Sequence, residues 1–283
     1  MTMPCRLLHF VRHLAVLCAL FVPLPSLAAQ MQFDVDVRYL YGDWHWGDSQ
    51  MRSATGLAGP EARFILGDRW SARLTYLTGD FAAVGAVPLD DPVYHSRRNY
   101  SLDDRRETLD AAFEFHPLPF LTAALIYRFA RYEHASRIEL DSDQRLYGEG
   151  LESTVAELSA WGLGVRSRIR LVEGLHLGGE AAWFPRVRTE ASGRYQFTML
   201  YRSDRLDERW YGQFEPTGLR AGAEITYDLD VLPATLATGY LVERFDDDDA
   251  RREGWLSDYL AGGGRDWRKD HLQGVTLRAG FHF

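Results

Sequence analysis

The alternation at the end of the chain constrains the fold more than any other feature. In Gln273–Phe283 (QGVTLRAGFHF), Val275, Leu277, Ala279, Phe281 and Phe283 fall on one face of an extended strand. Gly274, Thr276, Arg278, Gly280 and His282 fall on the other. One face is wholly apolar and the other carries an arginine, a division that suits lipid on one side and water on the other.

The same alternation recurs through the chain. About nine further strands are predicted, near 32–41, 55–66, 70–80, 105–115, 120–132, 154–171, 175–185, 210–227 and 234–245. Their apolar faces include Phe33, Val35 and Val37 in the first and Leu219, Ala221, Ala223 and Ile225 in the eighth. The opposite faces carry Asp36, Arg38, Glu61, Arg63, Arg73, Asp110, Glu114, Arg128, Arg166, Arg168, Arg170, Glu180, Arg220, Glu224 and Arg278. Enclosing that set in a soluble core would cost several kcal/mol for each unpaired charge. Inside a narrow barrel the same side chains can pair with one another and with water.

The connections alternate long and short. Gly67–Arg69, His116–Pro119, Val172–Gly174 and Asp228–Pro233 read as short turns, and 42–53, 81–104, 133–153, 186–209 and 246–270 as long loops. Pro60 lacks an N–H and is expected at a bulge or a strand's outer end. Aromatic residues cluster toward strand ends, as interfacial girdles require. The fold class that follows is all-β: a transmembrane antiparallel up-and-down β-barrel of about ten strands. Wide aqueous channels need ~16 strands. A lumen plugged by ion pairs is therefore expected, with the long loops acting outside.

At the N-terminus, Arg6 and Arg12 precede the apolar run Leu14–Leu24 and the small residues Ala28 and Ala29. This is the order of a secretory signal peptide, expected over residues 1–28 with cleavage after 28 or 29. A single barrel domain then occupies 29–283. Both cysteines, Cys5 and Cys18, fall in the removed segment, so disulfides, thiolate metal sites and a cysteine nucleophile are excluded from the mature chain. The full sequence carries 32 Lys+Arg and 40 Asp+Glu. Loss of Arg6 and Arg12 leaves 30 against 40, a net charge of −10, which argues against nucleic acid as a partner.

The terminal Phe283, with Phe281 and apolar residues at alternate positions before it, resembles the C-terminal insertion signal of bacterial outer-membrane β-barrels. The resemblance implies the outer membrane of a Gram-negative bacterium, with its lipid, its lipopolysaccharide and the barrel assembly machinery as partners, and a monomer. In size and loop rhythm the chain is also similar to the omptin proteases. Their site sets an Asp pair on one rim wall against an Asp–His pair on the other. Here Asp90, Asp91 and His95 lie in the second long loop, Asp204, Asp207 and Glu208 in the fourth without a histidine, and His176 near a short turn, so the motif is incomplete.

A Ser–His lipid-hydrolase pair is weaker still: His282 has no adjacent serine, and Ser101 and Ser159 no nearby histidine. The run Asp246, Asp247, Asp248 and Asp249 could meet a cation but lacks the spaced ligands of a calcium loop, which favours a solvated tip. No cofactor and no metal are expected. The functional expectation is a structural, surface-binding or narrow-pore role, with a hydrolase at the outer rim as the alternative.

Overall fold

A computed structural model of the chain describes residues 31–46, 53–88, 96–142, 145–199, 205–229, 231–246 and 270–282. The expected signal peptide, Phe283, Asp90, Asp91, His95, Asp204 and Asp247–Asp249 lie outside the described residues. The described segments are strands and tight turns: β1 (Met31–Trp46), β2 (Ser53–Leu66), β3 (Trp70–Pro88), β4 (Ser96–Leu118), β5 (Leu121–Ser142), β6 (Arg145–Val172), β7 (Leu175–Met199), β8 (Arg205–Phe214), β9 (Thr217–Leu229), β10 (Ala234–Asp246) and β11 (Asp270–His282).

Each strand pairs antiparallel with its neighbour, β1 pairs with β11, and the β6–β7 ladder completes the circle. β8 and β9 are one wall. β8 pairs with the upper half of β7, from Thr198↔Arg205 to Thr189↔Phe214, and β9 pairs with the lower half, from Phe184↔Gly218 to Leu175↔Tyr227. Proline 216, lacking an N–H, marks the step between them, and its carbonyl accepts from the Val187 amide at 2.8 Å. Eleven segments thus make a closed barrel of ten walls. Gly67 and Gly174 take positive φ, 66° and 71°, in two of the short turns.

The outward face is greasy over about five alternate residues per strand. On β5 these are Leu121, Ala123, Leu125, Tyr127 and Phe129, after which Arg131 and Glu133 follow on the same face. The switch falls at the same level on β4, where Leu109 gives way to Glu107, and on β7, where Trp183 gives way to Arg186 and Arg188. That belt matches the apolar band, roughly 25 Å tall, of a membrane barrel. Trp161 and Leu163 are each 60 % exposed, and Trp70 stacks on Phe113 at 5.0 Å on the outer wall. A water-soluble sheet would bury these rows.

Three expectations need correction. The strands are far longer than hydropathy marks: 96–104, 133–142, 145–153 and 186–199, read as loop, are strand. Above the membrane the outer face meets water and carries charged residues, while inward His134, Ser136 and Thr154 are buried, so the apolar-out signal fades while the backbone ladder continues. Outer ion pairs such as Arg131–Glu157 at 3.7 Å and Arg137–Glu149 at 3.6 Å join neighbouring strands there. The result is lopsided. β10, β11, β2 and β1 have 13, 13, 14 and 16 residues, whereas β3 to β7 have 19 to 28. Among the described residues, one side of the barrel therefore rises above the other as a curved wall.

Second, Pro60 makes no bulge. The β2–β3 ladder omits Gly59 and Pro60 but keeps one register on either side, Ala58↔Thr78 and Glu61↔Thr75. Third, the lumen is not ionic throughout. Leu40, Leu57, Phe81, Ile126, Leu158, Phe184, Phe245 and Leu272 are buried inside it. Two rings press close against strand glycines. A Cβ on Gly162 would sit 2.5 Å from Phe184 Cδ1, and one on Gly218 would overlap the Phe245 ring.

Replacing outward Leu277 by Arg places a charge against hydrocarbon and should cost about 2–4 kcal/mol of folding free energy. Urea titration of the barrel in phosphatidylcholine vesicles measures it, with lumen-facing Thr276→Ser as the near-neutral control.

Candidate functional site

The side chains that face inward form a stack of ion pairs crowned by aromatic rings. Low in the lumen, Glu61 on β2 meets Arg38 at 2.9 Å, Arg73 at 3.6 Å and the Thr75 hydroxyl at 2.7 Å. Glu114 on β4 accepts from Arg63 at 3.0 Å and Ser71 at 2.8 Å, and also faces Arg73 and Arg166. Arg166 reaches on to Glu180 at 3.2 Å, and Arg278 spans Asp36 at 3.1 Å and Glu224 at 2.9 Å. A cavity of about 40 Å³ lies among Arg38, Arg166, Glu180, Glu224 and Thr276, room enough for water.

Higher up the pairs cross the barrel. Arg128 on β5 donates from Nε and Nη2 to Asp110 on β4, at 2.7 and 2.8 Å, and its Nη1 bonds Glu243 on β10 across the lumen. Arg220 on β9 donates to Asp110 at 2.5 Å. Above them, Asp270 on β11 accepts from Arg106 on β4 at 3.1 Å, from the Trp44 indole on β1 at 2.6 Å and from the Tyr132 hydroxyl on β5. The arginines also stack on rings. Arg106 lies 5.5 Å from Trp44 and 5.0 Å from Tyr132, and Arg128 lies 5.5 Å from Phe184 and 5.7 Å from Phe245.

Between Asp36 and Asp270 the lumen holds eight arginines (38, 63, 73, 106, 128, 166, 220, 278) and eight carboxylates (36, 61, 110, 114, 180, 224, 243, 270) among the described residues, so their formal charges cancel. Glu243, Asp270 and Arg106 complete this lattice. Arg106 escaped the sequence reading because the inner face of the strand expected at 105–115 was followed no further than Thr108, and Asp270 because 246–270 was taken for loop. Carrying the period of two upward from Asp110 through Thr108 to Arg106 would have found the first.

Two of the inward arginines belong elsewhere. Arg168 pairs with Asp228 at 2.9 Å near the short-turn end, and Arg170 is exposed. At that same rim His176 bonds Asp228 at 2.9 Å and His282 bonds Asp34 at 2.8 Å.

On the raised wall, His134 of β5 bonds Asp104 of β4, with both side chains turned inward. Thr154 of β6 stands opposite His134, and Ser136 meets Glu152 one step higher. Both His134 and Asp104 lie in stretches read as loop. Asp207 is on the outer face, where hydrogen bonds from Arg194 and Gln196 hold its carboxyl below the usual range. Glu208 and Ser101 are exposed, Ser159 is half-buried, and neither serine shares a hydrogen bond with a histidine among the described residues. Asp246 is held by Arg244 and by His271 at 3.0 Å.

No protein-family model and no curated protein matches the sequence. Solved structures do. The outer membrane protease OmpT from Escherichia coli superposes with a TM-score of 0.54 at 10 % identity, over 89 % of this chain and 96 % of that one. The translocator domain of the autotransporter NalP from Neisseria meningitidis follows at 0.44 and 11 %, over 98 % and 99 %. The fold is that of an outer-membrane β-barrel. At these identities the likeness concerns architecture alone, and the lumen of this barrel stands on its own residues.

Arg128→Ala strands Asp110 and Glu243 opposite a lost partner and should destabilise the barrel by about 3–5 kcal/mol. The triple replacement Arg128→Met, Asp110→Asn, Glu243→Gln should cost less than Arg128→Ala alone. Equilibrium unfolding in urea compares the two.

Proposed function

We propose that this chain is an ion-tight barrel of the Gram-negative outer membrane that carries a surface-binding wall on the cell exterior. One observation supports the closed lumen above the rest: ion pairs that join walls on opposite sides, Arg128 to Glu243 and Arg220 to Asp110, at the level of buried Phe184 and Phe245. A lattice with equal numbers of each sign leaves no net fixed charge to draw ions in, and the rings leave little space for hydrated ones. The tall walls β3 to β8 would then do the outside work.

On this reading residues 1–28 direct export, and the C-terminal strand ending at Phe281 and Phe283 presents the chain to the barrel assembly machinery. A monomer stands among outer-membrane lipid, with the arginines of the outer wall at the level of lipopolysaccharide. In planar bilayers the purified barrel should give no steady current; stable open steps of nanosiemens size would refute the closed lumen.

A second reading, a hydrolase at the rim, draws support from His134. Its Nδ1 sits on the Asp104 carboxylate, the arrangement that orients an imidazole as a general base. Purified barrel should cleave a peptide or ester library on this reading, with a loss of roughly 10²-fold or more in His134→Ala. Equal turnover by both proteins would dismiss it.

A further inference from the structure

The raised wall sorts its charges by side. The β6–β7 and β7–β8 ladders set Glu152, Tyr195 and Glu208 in one row across three strands, all turned inward, and the row beneath holds Thr154, Gly193 and Trp210. On this face of β4 to β8, above the level of Tyr132, the described side chains include Asp104, Glu152 and Glu208 and neither an arginine nor a lysine. The arginines at the same levels, Arg137, Arg194, Arg205 and Arg209, point the other way. Asp104 bonds His134, and Glu152 accepts from Ser136 at 3.5 Å. Glu208 is exposed although it faces inward, and no ion pair engages it among the described residues. Solvent therefore reaches the inner wall at this point.

Aromatic rings stand beside that carboxylate. Tyr195, its direct partner in the ladder, is parallel to Phe197 within 5°, with centroids 6.4 Å apart. Trp210 follows Glu208 on the same face, and its indole leans across Gly193, where a Cβ would sit 2.4 Å from Nε1. A larger residue at 193 would push the ring away. Thr154 is 1 % exposed, and its hydroxyl makes no hydrogen bond among the described residues. Its Oγ1 lies 2.8 Å from the same Cβ position, so it opens on the space over Gly193 beside the indole. A buried hydroxyl left without a partner is costly, and a ligand that brings one relieves that cost.

These groups select a ligand by chemistry. Carboxylates attract a cation, and the faces of Trp and Tyr attract one through the ring quadrupole. The rings also pack against methylene groups, and the threonine oxygen accepts from an N–H. A bare metal ion would use the carboxylates and ignore the rings, and an anion would be repelled. Glu152 and Glu208 stand two strand spacings apart, roughly 9–10 Å at the backbone, with the Tyr195 ring between them. That spacing suits a flexible chain with ammonium groups separated by methylenes. We propose that the inner face of β7 and β8 binds a linear polyamine. One ammonium sits at Glu208 beside Trp210, the methylenes run along Tyr195, and the next ammonium points toward Glu152. The inference rests on the reading of a surface-binding wall on the cell exterior and names the class of ligand that the wall takes.

The test is calorimetric titration of spermidine into the full barrel in non-ionic detergent at constant ionic strength. Saturable binding is expected. Glu208→Gln should weaken it about tenfold or more, and Trp210→Leu about threefold or more. Asp207→Asn, on the outer face of the same strand, should leave it unchanged. Glutamine keeps the shape of this exposed side chain, and heat-modifiable gel mobility checks that each variant is folded. No binding of spermidine, or undiminished affinity in Glu208→Gln or Trp210→Leu, would overturn the proposal. So would magnesium that competes on equal terms, which would reduce the site to its carboxylates, or tighter binding of an arginine peptide of the same charge. A second measurement separates this inference from the reading beneath it: Glu208→Cys in intact cells should react with a maleimide that cannot cross the membrane. Labelling without spermidine binding removes the polyamine and leaves the exterior wall; absence of labelling removes both.

Discussion

Arg128 crosses the lumen. It holds Asp110 on one side through two hydrogen bonds and Glu243 on the other, while two phenylalanine rings flank its guanidinium. The rest of the interior follows from the same requirement. The wall around these groups is wrapped in hydrocarbon, and a charge left without a partner there costs several kcal/mol. Each carboxylate is therefore set against one or more arginines, and the planar, always-charged guanidinium suits a site that must serve two acceptors at once. The chain's reliance on arginine, with Lys269 the sole lysine of the sequence, is consistent with that demand.

The alternation of Gln273–Phe283 and its counterparts was enough to show the architecture, because membrane strands divide their two faces by solvent and every second residue reports which. Val275, Leu277 and Arg278 could be oriented from sequence for that reason. The signal failed where the solvent contrast fails. Above Phe129 the outer face meets water, so Glu133 and Arg137 read as loop although their backbones remain in the ladder. His134 and Asp104 were lost with them. The period of two does place Leu40, Ile126 and Phe184 on the charged side of their strands, and what it does not show is that these side chains gather into one buried apolar layer among the ion pairs.

The two ends of the barrel are built for different tasks. The short-turn end is tied by side chains linked from wall to wall, including the seam between the first and last strands. Among the described residues the opposite end is uneven, with β3 to β8 standing above β9 to β2, and β8 pairs along one edge only. A rigid, electrically neutral middle separates them. On the proposed reading, the middle would hold position in the bilayer while the tall strands present a binding wall.

All of this depends on which side of each strand meets lipid. Tryptophan fluorescence with brominated lipid tests that directly, using variants that keep one tryptophan at a time in reconstituted vesicles. Trp161 and Trp183, exposed on the outer belt, should be strongly quenched, and Trp44, buried between Phe81 and Tyr132, should not be. Strong quenching of Trp44 together with unquenched Trp161 and Trp183 would contradict the account.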